Sequence, residues 1–303
     1  MATAAPLQPT AAHQPAFAAT VPEPVSAPSN LTVPRGPVEA KLSYYTPPAD
    51  GSRPYGYVEQ PPEGVPQRNY SKEDHEVTIE DLRGRETDFT LDKNAFEVLA
   101  NVPSATTYTT FDSDDEVEKV YYPEVEKLLL DSLPGAHRIF IFDHTIRHAR
   151  PNSNRSPVTQ VHIDQTPASA KQRVEHHLPD EAAELVRGRY RIVNVWRPLN
   201  PPVYSFPLAI ADSSTVRDED LVGVEHRYPT RTGETAGVKY HKGQKWYYLS
   251  GMLGNERLLL KCSDSDGTVG GYGRAPHTAF IDSRTPDGAP GRESIEVRAL
   301  VFG

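Results

Sequence analysis

The chain reads as a series of short segments in which apolar and polar residues alternate, the period-2 pattern of strands with one buried face. HEVTIEDLRG (75–84) alternates branched apolar with polar residues and ends on glycine. RIFIFDHTI (138–146), TQVHID (159–164), RYRIVNVWRPL (189–199), PLAIADS (207–213), KWYYLSGM (245–252), ERLLLKCS (256–263), HTAFID (277–282) and SIEVRALVF (294–302) are further strands. Helical patterning predicts three stretches: NAFEVLAN behind Asp92 as N-cap, DDEVEKVYYPEVEKLLLDSL (114–133) broken or kinked at Pro123, and 169–187 interrupted at Pro179. Many strands with helices packed at the front predict a mainly β fold. A double-sheet jelly roll with flanking helices fits this order better than a doubly wound parallel sheet.

Eight prolines fall within residues 1–40 amid Ala, Thr and Ser. Such a stretch buries too little apolar surface to offset its ordering entropy, which predicts a disordered Pro/Ala-rich arm over 1–40. Residues 41–70 stay proline-rich but gain Tyr44, Tyr45, Tyr55 and Tyr57, as suits an extended segment laid across a folded body. With no repeat and no second shift in composition, residues 41–303 read as a single catalytic domain.

Composition narrows the function. The chain is 37% hydrophobic and 24% charged, with a mean hydropathy of −0.57, ordinary values for a soluble globular protein. No run approaches the roughly 20 apolar residues of a membrane-spanning helix, so no membrane is expected. A net charge of −9 argues against a nucleic-acid partner, which calls for a basic patch. One cysteine, Cys262, allows neither an intramolecular disulfide nor a thiolate zinc site. With no basic start and apolar core of a secretory signal at the N-terminus, the expected setting is cytoplasmic. The proline-rich arm could pack on a neighbour, so a homo-oligomer stays open.

The chemistry gathers on QVHID. On a strand, Gln160, His162 and Asp164 share one face while Val161 and Ile163 take the other. An H-x-D pair joined by a remote histidine is the two-His-one-carboxylate triad, which leaves coordination positions open on Fe(II). His277, 113 residues beyond Asp164 and opening the strand HTAFID, is the candidate third ligand. A histidine and an aspartate on one strand face also suit a hydrogen-bonded structural pair. The picture changes 15 residues beyond His277, where Arg292 and Ser294 share a strand face: a guanidinium fork and a hydroxyl suit a carboxylate at the end of a pocket. Arg298 has the same parity and is the alternative anchor.

With these residues assembled, the sequence resembles the iron(II)/2-oxoglutarate-dependent oxygenases. Residues 138–302 are similar to the hydroxylase/desaturase group that includes gibberellin desaturase-like and cephamycin CmcJ-like proteins. VHID, RYRIVNVWRPL, APHTAFIDSR and RESIEVRALVF carry the resemblance. It implies a double-stranded β-helix, Fe(II) and 2-oxoglutarate as cofactors, dioxygen, and oxidation of a small-molecule substrate in secondary metabolism. Asn194, Trp196 and Arg197 of the NVWRP stretch, with Gln160, are then candidate pocket residues, and Gln160 could equally support a ligand imidazole. The segment before residue 85 finds no match.

His144 beside Asp143 and the Glu175-His176-His177 group read as structural, because adjacent strand residues face opposite ways and the latter lies on a charged helix end. GTVGGYG (267–273) lacks the Lys-Ser/Thr ending of a phosphate loop and reads as a flexible loop beside His277. Two other functions remain open: an Fe(II) oxidase or cyclase of the same fold that does not use 2-oxoglutarate, and a metal-free jelly-roll binding protein.

Overall fold

Alternating burial sorts the chain into two sheets that face one another. The computed structural model describes residues 31–149, 156–268 and 273–303; among them one sheet has nine strands and the other five. The larger runs β1 (Val38–Thr46), β3 (Ser71–Asp81), β11 (Trp246–Tyr248), β8 (Leu208–Ala211), β13 (His277–Ala279), β6 (His162–Ile163), β10 (Thr232–Val238), β9 (Leu221–Arg227) and β2 (Tyr55–Tyr57). The smaller runs β4 (Phe96–Leu99), β12 (Arg257–Asp264), β7 (Tyr190–Pro198), β14 (Ser294–Phe302) and β5 (Arg138–Arg147). Neighbours are antiparallel except β3 with β11 and β2 with β9. Successive strands cross from sheet to sheet over β5–β8 and again over β11–β14, as in the expected jelly roll, while β1–β3 and β8–β11 each stay in the larger sheet.

Parity along β14 separates two cores. Ile295, Val297, Ala299 and Val301 point outward and pack with Val193 and Val195 of β7 against Val125 and Leu129 of the helix Tyr122–Ser132. Leu300 and Phe302 point inward and meet Val161, Ile163 and Trp246 of the larger sheet. Nearer its start the same inward face turns polar, with Ser294, Glu296 and Arg298. The interior is therefore dry at one end and polar at the other.

The structure departs from expectation at particular elements. The helix expected from Asp92 is one turn, Leu91–Asn94; Ala95 in the left-handed region (φ 63°) ends it. Phe96–Leu99 then forms β4, with Phe96 and Val98 buried against β12. Pairing and burial override helix propensity there. The helix over 114–133 is not broken at Pro123: a π turn over Val117–Tyr121 widens the register, and Pro123, lacking an N–H, sits in the first turn of the helix Tyr122–Ser132. The helical insert is two pieces, Pro167–His177 and Ala182–Leu185.

Residues 38–40, expected as the end of a disordered arm, and 41–46, expected as part of a draped segment, together form the sheet strand β1, because they pair with β3 and bury alternate side chains; β9 and β10 were not expected. The arm expected over 1–40 lies outside the described residues as far as residue 30, as does 269–272 of the glycine-rich run. No helix among the described residues is long and apolar enough to cross a membrane.

Leu129 joins the helix to the outer face of the small sheet, away from the polar end. Leu129→Ala is expected to lower unfolding free energy by about 2–5 kcal/mol in urea denaturation, with Fe(II) affinity unchanged; a loss of both would mean that the outer layer positions the metal ligands.

Candidate metal centre

β6 is only two residues long, yet it sets the site. His162 lies directly across from His277 of β13 on one side and from Gly237 of β10 on the other. The two imidazole centroids are 4.5 Å apart. Gly237 is required by space, because a Cβ there would stand 2.8 Å from the Tyr45 ring. Asp164 follows β6 immediately. One ligand atom from each of His162, Asp164 and His277 lies within 4.8 Å of the others, close enough to share a metal ion.

Backbone carbonyls orient both imidazoles. His162 Nδ1 lies 2.8 Å from the Gln160 carbonyl oxygen, and His277 Nδ1 lies 3.0 Å from that of Ala275. A carbonyl only accepts, so each Nδ1 carries the proton and each Nε2 keeps its lone pair for the centre. Those Nε2 atoms lie 3.3 and 3.8 Å from Asp164 Oδ1. Asp164 Oδ2 accepts from Asn194 Nδ2 at 2.8 Å and Arg298 Nε at 2.9 Å. Its two oxygens therefore have different roles.

Burial opposes the Asp164 charge, but Arg298 above all, with His162 and His277, holds the carboxyl well below the usual range. Burial also opposes a charged His162, and the Asp164 hydrogen bond and charge outweigh it and raise the imidazole. His277 goes down, through burial and the nearby His162. A divalent cation would compete with a proton for the His162 Nε2 lone pair.

The site opens into a cavity of about 410 Å³, the size of a small-organic-molecule pocket. Gln160, Trp196, Arg292, Ser294 and Arg298 all line it. Arg298 is engaged: besides Asp164 it donates to Asp143 at 3.1 Å and Glu296 at 2.6 Å. Arg292 is buried and differs. Its Nη1 donates to the Phe206 carbonyl at 2.7 Å, its Nε has no partner, and no carboxylate of the described residues pairs with it. Burial, then the charge of Arg147, brings its guanidinium down to about 10. Such a group fits an incoming carboxylate.

Asn194 is not a pocket-wall residue but stands behind Asp164, bonded also to Glu296 at 3.0 Å. Arg197 faces the other way, over the Phe111 and Tyr121 rings at 5.3 and 5.4 Å. His144 is structural, between Tyr122 and Asp114 at 2.8 and 3.1 Å. Cys262 is buried, and desolvation pushes its thiol well up.

Sequence reasoning missed Glu296, although it shares the parity of Arg292, Ser294 and Arg298. It also missed His226, on the unpredicted β9, which lines the cavity and lies 3.2 Å from the Thr235 hydroxyl. Arg68 and Tyr70 reach the cavity from the segment that no sequence pattern matched.

Residues 42–302 match the family described as "Oxidoreductase/YMDC permease-like domain". The hydroxylase/desaturase poxK of Penicillium oxalicum is 38% identical, over 99% of this chain and 98% of its own length. The Fe(II)/2-oxoglutarate-dependent dioxygenase nvfI of Aspergillus novofumigatus (strain IBT 16806) is 32% identical, over 88% of this chain and 96% of its own. Among solved structures, an iron and alpha-ketoglutarate-dependent endoperoxidase, NvfI, superposes with a TM-score of 0.80 at 31% identity, covering 89% of this chain and 99% of that one.

Asn194→Ala removes one of the two donors to Asp164 Oδ2. Fe(II) affinity, read by anaerobic titration, is expected to fall roughly 10- to 100-fold; unchanged affinity would leave Arg298 as the sole orienting partner.

Proposed function

Since this chain belongs to the Fe(II)/2-oxoglutarate-dependent dioxygenases, we propose that it hydroxylates or desaturates a small organic metabolite of secondary metabolism, with Fe(II) held by His162, Asp164 and His277. Arg292 and Ser294 take the distal carboxylate of 2-oxoglutarate in this reading. The observation that carries it is the buried Arg292 guanidinium, on the same cavity as the two histidines and unmatched by any described carboxylate. It favours 2-oxoglutarate use over an oxidase or cyclase without it, because an unpaired buried charge is costly to keep. Arg298, the alternative anchor, already serves three carboxylates.

When bound, Fe(II) and 2-oxoglutarate supply dioxygen activation coupled to decarboxylation of the co-substrate to succinate, which removes hydrogen from an unreactive C–H bond. The chain's own residues orient and exclude water. The Gln160 and Ala275 carbonyls keep both Nε2 lone pairs on the centre. By donating to Oδ2, Asn194 and Arg298 keep Asp164 Oδ1 turned toward the two histidines. Trp196, with the Arg292 guanidinium 5.4 Å from its ring centroid, closes the cavity on the co-substrate side.

A reducing, cytoplasmic setting suits the single buried thiol. Residues from 41 onward act as one catalytic unit in this proposal, and dioxygen and the substrate are its small-molecule partners.

His277→Ala is expected to abolish stoichiometric Fe(II) binding and succinate release. Arg292→Gln is expected to keep Fe(II) but raise the 2-oxoglutarate KM roughly 10- to 100-fold. An unchanged KM in that variant would sink the anchor assignment, and iron-independent behaviour of the wild type would sink the dioxygenase site itself.

A further inference from the structure

Beside the metal cavity lies a second chamber of about 450 Å³. The two share Thr145, Asp164, His226, Thr235 and Arg298 as a common wall, so a molecule reaching from one into the other passes a candidate metal ligand. Their linings differ in kind. Val158, Leu208 and Val224 give the first cavity apolar surface, whereas no large aliphatic side chain lines the second.

The second chamber is lined by two guanidiniums that form no salt bridge among the described residues. Arg173 comes from the helix Pro167–His177 and Arg231 from the turn joining β9 to β10. Neither has a carboxylate oxygen of the described residues within salt-bridge distance. Arg173 lies over the Phe142 ring at 5.0 Å and Arg231 over the Tyr228 ring at 3.9 Å. The lining carboxylates pair with other groups: Asp143 and Asp164 with Arg298 on the shared wall, and Glu234 with Arg53 and the Thr166 hydroxyl. Burial lowers the Arg173 guanidinium; Asp143 works the other way, and Arg231 and Arg298 add repulsion. Two elements thus converge like charges on one polar space, an arrangement that an anion between them would relieve.

We propose that this side chamber binds the substrate's carboxylate, so that the enzyme acts on an organic acid whose apolar body lies in the metal cavity. The identity of the occupant as substrate rests on the dioxygenase reading, while the anion site stands on Arg173 and Arg231. These are binding residues that select the substrate, distinct from the Arg292 anchor.

The test uses the full chain loaded with Mn(II), which does not turn over, and saturating 2-oxoglutarate. The metal centre and Arg292 are then occupied before a second carboxylate is added. Calorimetric titration with benzoate and with benzamide compares a carboxylate with its neutral isostere. Benzoate is expected to bind at least tenfold more tightly. Arg173→Gln and Arg231→Gln are each expected to remove about tenfold of that preference and to leave benzamide, Mn(II) and 2-oxoglutarate affinities unchanged. Arg231 is exposed on its turn, so its variant folds whatever becomes of Arg173, and Arg173→Lys should retain most of the preference. Equal affinity for benzoate and benzamide, or a preference that survives the double variant, overturns the proposal. Failure of 2-oxoglutarate to bind the Mn(II) protein appears before benzoate is added and counts against the dioxygenase reading alone.

Discussion

The Asp164 carboxylate ties the two sheets together at the polar end of the interior, and the metal centre depends on how it is held. It follows β6 of the larger sheet and is gripped by Asn194 of β7 and Arg298 of β14 in the smaller. Burying such a pair costs several kcal/mol per ion in lost hydration. The cost is offset because most of the remaining hydrogen-bonding capacity is filled: Arg298 also meets Asp143, Thr145 and Glu296, and Asn194 Nδ2 meets Glu296, with only Asn194 Oδ1 left without a partner. A network of this kind adds little net stability, although losing one partner costs about 3–5 kcal/mol. What it determines is direction, since with Oδ2 occupied from the far sheet only Oδ1 is left to face the histidines.

That grip is possible because the inward face of β14 changes character along its length. Leu300 and Phe302 close the apolar core between the sheets, while Arg298, Glu296 and Ser294 continue the same face into the cavity. The outward face, Ile295 to Val301, is apolar throughout and covered by the helix Tyr122–Ser132. One strand with two buried faces thus separates the packing that stabilises the fold from the groups that do chemistry. The division puts the rigid layer directly behind the site, where preorganisation of the ligands is most useful.

Three of the guanidiniums lining the two cavities have different environments, and partners rather than residue type distinguish them. Arg298 is saturated by carboxylates and belongs to the metal ligand's support. Arg292 is buried with an open Nε, suited to the co-substrate. Arg173 lies over the Phe142 ring in the side chamber and forms no salt bridge among the described residues. The first bears on the candidate metal ligand Asp164, the second opens onto the same cavity, and the third is the guanidinium on which the proposed anion site rests.

Strand alternation alone placed His162 with Asp164, and Arg292 with Ser294 and Arg298, because a period of two is a local property of the backbone. It also marked nine of the fourteen strands, those with clear branched-apolar alternation or long apolar runs. It did not reveal β9 and β10, whose Gly, Glu and Thr residues pair without an apolar stripe, and so His226 and the turn carrying Arg231 stayed hidden. Parity says which residues share a face; it does not say which distant strand lies opposite, nor who occupies a guanidinium. Asn194 behind Asp164 rather than on the pocket wall, the carboxylates that meet Arg298 and the open Nε of Arg292, and the side chamber were decided only when the sheets closed, because each depends on contacts between residues far apart in the chain.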